Sequence, residues 1–291
     1  MGTAAGAVGI QGGEASYHHI FAMNHLPQGS DIRFCRTFPE LFQGVSSGRL
    51  RSGIAAEGNN RKDGIPETHQ ALRTGDFFIV GEGYERIDHQ LMGVRGSKLG
   101  GVREVHTQDH AREQCGKFLH SDRLPAGTTQ INQDDTALSA QLVAEWADPS
   151  KVAIASPAAA DLYGLEILAA NVQDDADNMT RFLHLEHRNG QQPAETDDKS
   201  TILVDLKDRP GALYHALAPI YEEGVNLTGL RTYYKPNTGF DYEFLMEFGA
   251  GGLDPRTERI VKALGGMGQV INIGSYKSVP IPELTNGGAS S

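Results

Sequence analysis

Cys35 and Cys115 are the only cysteines among 291 residues. They are too few and too isolated for a disulfide framework or a cysteine-rich zinc site, and a reducing, cytoplasmic setting is expected. Cations are in deficit, 26 Lys and Arg against 37 Asp and Glu, for a net charge of −11. No element concentrates them, so neither a nucleic-acid groove nor a nucleic-acid partner is expected. No run of about 18 apolar residues is present, so no membrane partner is expected. The opening MGTAAGAVGIQGGEA lacks the basic region and apolar run of a signal peptide. Metal-ligand spacings are missing as well. His18 and His19 are adjacent and would point to different sides of a helix, and His184 and His187 fall on opposite strand faces, so no metal site is expected. Gly81-Glu82-Gly83 lacks the later glycine of a nucleotide fingerprint and reads as a turn between strands.

What is present is an alternation of strands and helices long enough for about two domains. GAVGIQGG reads as a strand, SYHHIFAMNHL as a helix, FCRTF as a short strand and PELFQGVSSG as a helix. RSGIAAEG is strand-like, ETHQALRTG helical, and FFIVGEGYERIDHQLMGV gives two more strands. A helix is expected over DHAREQCGKFL. Another is expected over DDTALSAQLVAEW, with Leu138, Leu142 and Trp146 on its apolar stripe. The polar stretch after His187 marks a boundary, giving a first domain at 1–187, a linker at 188–200, a second domain at 201–280 and a flexible tail at 281–291. In the second domain TILVDLKD, a helix from Pro210-Gly211 with Leu213, Leu217 and Tyr221 at helical spacing, VNLTGLRTYY, the turn KPNTG, FDYEFLMEF, a helix over about Asp254–Leu264 and QVINIGSYK follow one another. That order, β-α-β-β-α-β, is ferredoxin-like.

The chain centres on residues 152–187. Val152–Ala155 reads as a buried strand, Ser156-Pro157 opens a helix that Gly164 closes, and Ile167–Val172 is a second strand. An acidic turn then leads to Asn178, Thr180, Arg181 and Phe182 at the entry to an alternating strand. Taken alone, Asn178 and Thr180 could simply cap that turn.

Strand, Tyr-Gly-Leu helix, acidic turn and Asn-x-Thr-Arg-Phe together resemble the prephenate dehydratase family. The likeness covers nearly the whole chain, apart from the first few residues and those after about Lys277. It implies a two-lobed α/β catalytic domain with a central cleft, followed by a ferredoxin-like ACT domain. The chain would cross between lobes near Phe78 and return near Asp174. It also implies a lyase that takes prephenate, or a close analogue such as arogenate, and expels carbon dioxide and the ring hydroxyl without a cofactor. Thr180 would be the residue tied to catalysis, with Asn178 and Arg181 orienting it or the substrate. Glu57, Asn59, Thr107, His18, His106, His110 and Phe182 would line the cleft. Gly211-Ala212-Leu213 and Asn226-Leu227 match ACT motifs that bind an amino-acid effector, and such modules pair into homodimers or homotetramers.

The frame departs from the family at several pocket motifs. Tyr17-His18-His19 puts histidine where the family has serine. The family's Glu-Asn-Ser appears as Glu57-Gly58-Asn59, and its Ser-His-Pro-Gln-Ala-x-x-Gln-Cys as Thr107 to Cys115. The Glu-Ser-Arg-Pro segment tied to phenylalanine reads Leu230-Arg231-Thr232-Tyr233. Two alternatives therefore stand beside the dehydratase. One is a non-aromatising prephenate decarboxylase, which needs a placed acid such as a histidine near neutrality. The other is a non-catalytic ACT protein that only senses an amino acid.

Overall fold

The computed structural model describes residues 6–60, 64–74, 76–189, 191–235 and 242–283. In chain order they form β1 (Val8–Gln11), α1 (Tyr17–His25), β2 (Ile32–Cys35), α2 (Phe38–Ser46), β3 (Ser52–Asn59), α3 (Pro66–Thr74), β4 (Phe77–Arg86), β5 (Gln90–Gly93), β6 (Glu104–Thr107), α4 (Asp109–Gln114), α5 (Gly116–Leu119), β7 (Thr129–Asn132), α6 (Thr136–Trp146), β8 (Lys151–Ala155), α7 (Pro157–Tyr163), β9 (Glu166–Ala169) and β10 (Met179–His187). Then follow β11 (Lys199–Leu206), α8 (Ala212–Glu222), β12 (Leu227–Tyr234), β13 (Tyr242–Phe248), α9 (Pro255–Gly265) and β14 (Gly268–Tyr276). Most of the expected turn KPNTG, the first two residues of FDYEFLMEF and the tail beyond 283 lie outside the described residues. Among the described residues no helix is long and apolar enough to cross a membrane.

The chain divides into two compact units, 6–65 with 83–182 and 281–283, and 66–82 with 183–280. The first unit holds two lobes. In one, the strand order is β10-β3-β1-β2, with β1 parallel to both β2 and β3. Its core gathers Ile10, Phe21, Ile54 and Phe182. In the other the order is β7-β6-β8-β5-β9. β8 is buried on both faces, which is why its sequence is continuously apolar rather than alternating. Val152 and Ile154 pack with Leu91 and Val105, whereas Ala153 and Ala155 pack with Met92, Ala140 and Val143.

The second unit contains the β-α-β-β-α-β module, strand order β12-β13-β11-β14, with α8 and α9 contributing to one core around Ile202, Val204, Ile220, Met246, Ile260 and Leu264. The first half of β4 joins β14 in parallel at Ile79 and Gly274. A Cβ on Gly274 would lie 2.7 Å from that of Ile79, so the backbone approach requires glycine.

Several local expectations are corrected. Gly81-Glu82-Gly83 is not a turn but the middle of β4, where Gly83 admits the Phe21 ring. Because β4 runs to Arg86, the crossing to the second lobe comes after that strand, later than Phe78. β2 begins at Ile32 and ends at Cys35, since Thr37 serves as the N-cap of α2. The DHAREQCGKFL helix breaks at Cys115, because Asp174 intrudes: its N–H donates to Gln114 O at 2.7 Å and its Oδ1 accepts from Lys117 N at 2.8 Å. β9 stops at Ala169, where Asn171 turns left-handed (φ 51°) and donates its N–H to Gln90 Oε1. α6 buries Thr136, Ala137, Ser139, Ala140 and Val143 rather than the Leu138, Leu142, Trp146 stripe, since small residues let it lie close on β8. Trp146 is 41% exposed. In α8 Leu213 and Leu217 pack on the core beside Ala216, Pro219 and Ile220, but Tyr221 is 84% exposed. β7 had no counterpart in the sequence reading: TTQIN is polar and only half-buried at best.

Candidate active site

Within the first unit a cleft of about 810 Å³ of empty space is lined from both lobes. One wall is β10. A strand turns successive side chains to opposite faces, so Thr180 and Phe182 line the cleft while Arg181 turns away to Glu57, Nη1 to Oε2 3.6 Å. Glu57 is 3% exposed and is not among the lining residues. The sequence grouped Thr180 with Arg181; the pleat separates them.

Asn178, Asn59 and Thr180 do meet. Asn59 Nδ2 donates to Asn178 Oδ1 at 2.6 Å and to Thr180 Oγ1 at 3.2 Å. Asn178 is buried, and its Nδ2 donates to Gln114 Oε1 at 3.0 Å. The same oxygen is 2.9 Å from His89 Nε2. Because Thr180 Oγ1 accepts from Asn59, its own proton remains available to a group in the cleft.

His18 lines the cleft from α1, packed edge-on against Phe182 and Phe38. Its Nε2 accepts from Ala56 N at 3.1 Å, and burial lowers its pKa from 6.5 to about 3. The ring is therefore neutral near pH 7, with one nitrogen committed to backbone. His89 is likewise buried and depressed to about 4, its hydrogen bond to Gln114 Oε1 opposing only part of the desolvation. Tyr17 donates to Asp88 O at 2.9 Å and lies edge-on to His89; burial, then the Asp88 charge, pushes its phenol well up.

His110 lines the cleft at the start of α4, but His106 and Thr107 on β6 do not. His106 packs under Trp146, ring centroids 4.7 Å apart, with Nε2 3.1 Å from Glu104 Oε2. Burial lowers its pKa although Glu104 opposes this. The Thr107 hydroxyl donates to Ile154 O at 2.9 Å. The two residues brace the second lobe.

Two helix starts open on the cleft, α1 capped by Ser16, whose Oγ accepts from His19 N, and α6 capped by Asp135, whose Oδ1 accepts from Leu138 N. The positive ends of both helices favour an anion. No lysine or arginine is among the described lining residues, and burial raises the Asp135 carboxyl against the opposing backbone amides. Phe38, Ala56, Ile65, Ile87, Ala111 and Phe182 make the remaining wall apolar.

Sequence reasoning left out His89, Gln114, Tyr17 and Asp135. Gln114-Cys115 was legible as the surviving end of a family motif. His89 carried no signal, being a single polar residue between two strands.

In the second unit Gly211, Ala212 and Leu213 line a smaller pocket of about 590 Å³ with Arg209, Tyr242 and Phe244. Gly211 caps α8 in a left-handed conformation (φ 81°) that other residues adopt at a cost. Asn226 and Leu227 are not among its lining residues: Asn226 O accepts from Gly249 N, and Leu227 packs on the core.

The family model described as prephenate dehydratase matches residues 8–190. A protein of Komagataeibacter europaeus named bifunctional N-acyl-homoserine lactone acylase/prephenate dehydratase is 33% identical over 241 residues, covering 82% of this chain and 84% of that protein. The bifunctional chorismate mutase/prephenate dehydratase of Aquifex aeolicus is 30% identical over 277 residues, 95% of this chain and 75% of that one. Among solved structures, a prephenate dehydratase of Arthrobacter aurescens in complex with L-Phe gives a TM-score of 0.82 at 25% identity, covering 94% of this chain and 90% of that chain.

Proposed function

The chain belongs to the prephenate dehydratase family, and on that premise we propose that it converts prephenate to phenylpyruvate, with Thr180 as the hydrogen-bond donor to the departing hydroxyl. The observation that carries this is the Thr180 hydroxyl on the cleft wall with its oxygen already accepting from Asn59 Nδ2. In the reaction the bond to the ring carboxylate breaks and leaves its electron pair in the ring as carbon dioxide departs. The pair completes the aromatic ring as the C–O bond breaks, and the hydroxyl leaves as water after taking up one proton. A donor at that oxygen stabilises charge that exists only as the bond breaks, typically a hundredfold to a thousandfold for one placed donor. The pyruvyl carboxylate fits the amide-rich starts of α1 and α6 together with the Gln114 carboxamide. The ring carboxylate fits the apolar wall, where weak solvation favours its loss.

The geometry at His18 favours dehydration over non-aromatising decarboxylation, which needs an acid for a ring carbon: His18 is neutral and already engaged with Ala56 N, which leaves that role to His110 on the cleft wall. No cofactor enters, since aromatisation supplies the driving force. Purified protein incubated with prephenate should release phenylpyruvate and carbon dioxide in equal amounts. Carbon dioxide alone would mean the decarboxylase, and binding without turnover the sensor.

One observation favours a second reading. A cleft with six apolar lining side chains and no described lining cation also suits a neutral amide with an alkyl tail, the class in the acylase half of the Komagataeibacter protein's name. Release of free fatty acid from an N-acyl-homoserine lactone is its test. In the second unit the pocket at Gly211–Leu213 fits an amino-acid effector of an ACT module, and the exposed Leu230 and Tyr234 on edge strand β12 fit pairing into a homodimer or homotetramer. Sedimentation with and without L-phenylalanine checks both.

A further inference from the structure

We propose that His89 is a positioning residue whose tautomer sets the direction of a carboxamide relay ending on Thr180, leaving the threonine proton free for the substrate. The catalytic half of this proposal rests on the dehydratase reading.

The relay runs from His89 Nε2 to Gln114 Oε1 (2.9 Å), to Asn178 (3.0 Å), to Asn59 (2.6 Å) and to Thr180 Oγ1 (3.2 Å). Turning over one carboxamide alone sets donor against donor or acceptor against acceptor, so the three turn together or not at all. Two directions satisfy the contacts. In the first, His89 Nε2–H and Asn178 both donate to Gln114 Oε1, Asn59 donates to Asn178 and Thr180, and the threonine keeps its proton. In the second every bond reverses: Gln114 donates to His89, Asn178 donates to Asn59, and Thr180 surrenders its proton to Asn59 Oδ1.

The closed end of the relay chooses between them. His89 is 2% exposed, and its Nδ1 is enclosed without a hydrogen-bond partner. The first direction leaves a lone pair on Nδ1. The second forces a proton onto it, and of the two orphans a buried N–H with no acceptor is the costlier, unpaired buried donors being rarer in folded proteins than under-satisfied acceptors. The first direction is therefore the stable one. It has a second consequence: with Oε1 accepting twice, Gln114 can offer only N–H groups to the cleft, which suits a carboxylate where no described lysine or arginine lines the wall. Burial keeps the ring neutral, as this direction requires.

Two measurements on the full chain test this. Long-range proton–nitrogen correlation of the imidazole of ¹⁵N-labelled protein should show His89 as the Nε2–H tautomer; an Nδ1–H pattern overturns the proposal. In the prephenate assay His89→Phe should lower kcat by about tenfold or more, the worth of one buried hydrogen bond, with a smaller change in KM. His89→Gln, whose amide nitrogen can stand where Nε2 stood, should restore most of the loss. An unchanged kcat in His89→Phe, or no rescue by Gln in a folded variant, also overturns it. Wild-type protein that turns over no prephenate sinks the dehydratase reading and the role in turnover with it, while the spectrum still judges the tautomer.

Discussion

Lowering the pH tests whether the cleft histidines are as the structure holds them. His18 and His89 have folded values of about 3 and about 4 against 6.5 when unfolded. Between those limits the unfolded chain binds the protons, so stability is fully present above 6.5 and falls as the pH drops. At about pH 5 the medium is roughly one and a half units below the unfolded value, while both folded rings remain largely neutral. At about 1.4 kcal/mol per unit, each site loses roughly 2 kcal/mol relative to pH 8, and the two together about 4 kcal/mol. Carboxylates also titrate in this range, so the informative quantity is a difference between proteins. His18→Gln can still accept from Ala56 N and does not titrate. Its loss between pH 8 and 5, from urea unfolding followed by circular dichroism, should be shallower than wild type by about 2 kcal/mol, and His89→Gln should behave alike. If wild type and His18→Gln lose equal stability, His18 takes up its proton as readily folded as unfolded and returns as a proton donor, and the argument against the decarboxylase fails.

Thr180→Val, which keeps the shape and removes the donor, should lower kcat by about a hundredfold to a thousandfold, and Thr180→Ser should recover most of it; stopped-flow phenylpyruvate absorbance checks both. Arg181 turns away from the cleft towards Glu57, so Arg181→Met should lower the melting temperature while leaving KM of the remaining folded protein within about threefold; a large KM rise with normal stability would return Arg181 to the substrate. Gly83→Ala would set a Cβ 2.7 Å from the Phe21 ring, which predicts a loss of about 1–3 kcal/mol by denaturant unfolding; an exposed turn would tolerate it. Gly211→Ala, at φ 81°, should abolish any thermal stabilisation by L-phenylalanine at a folding cost of about 1 kcal/mol.

Much of the fold was legible because local chemistry and burial agree. Ser156 and Gly164 bracket α7 as caps, Asp254 caps α9, and the module from β11 to β14 follows its expected order of elements. Elements misjudged at their edges were those held by distant partners. Asp174 breaks the helix at Cys115, and small side chains, not the large ones, seat α6. In the site, a short motif named Asn178, Thr180 and Phe182, because strand and turn residues adjacent in sequence remain adjacent in space.

The sequence by itself determined the family, the alternation of elements and the presence of Thr180, since these depend on residue type and spacing. Tertiary structure decided which neighbours face the cleft. It turned Arg181 and Glu57 away, set Thr107 and His106 to bracing the second lobe, and joined His89 and Gln114 to Asn178 and Asn59 from distant elements. It also decided that His18 is neutral. The physical reason is that hydrogen-bond partners and desolvation belong to a packed environment, which side chains far apart in the chain create only once they are folded together.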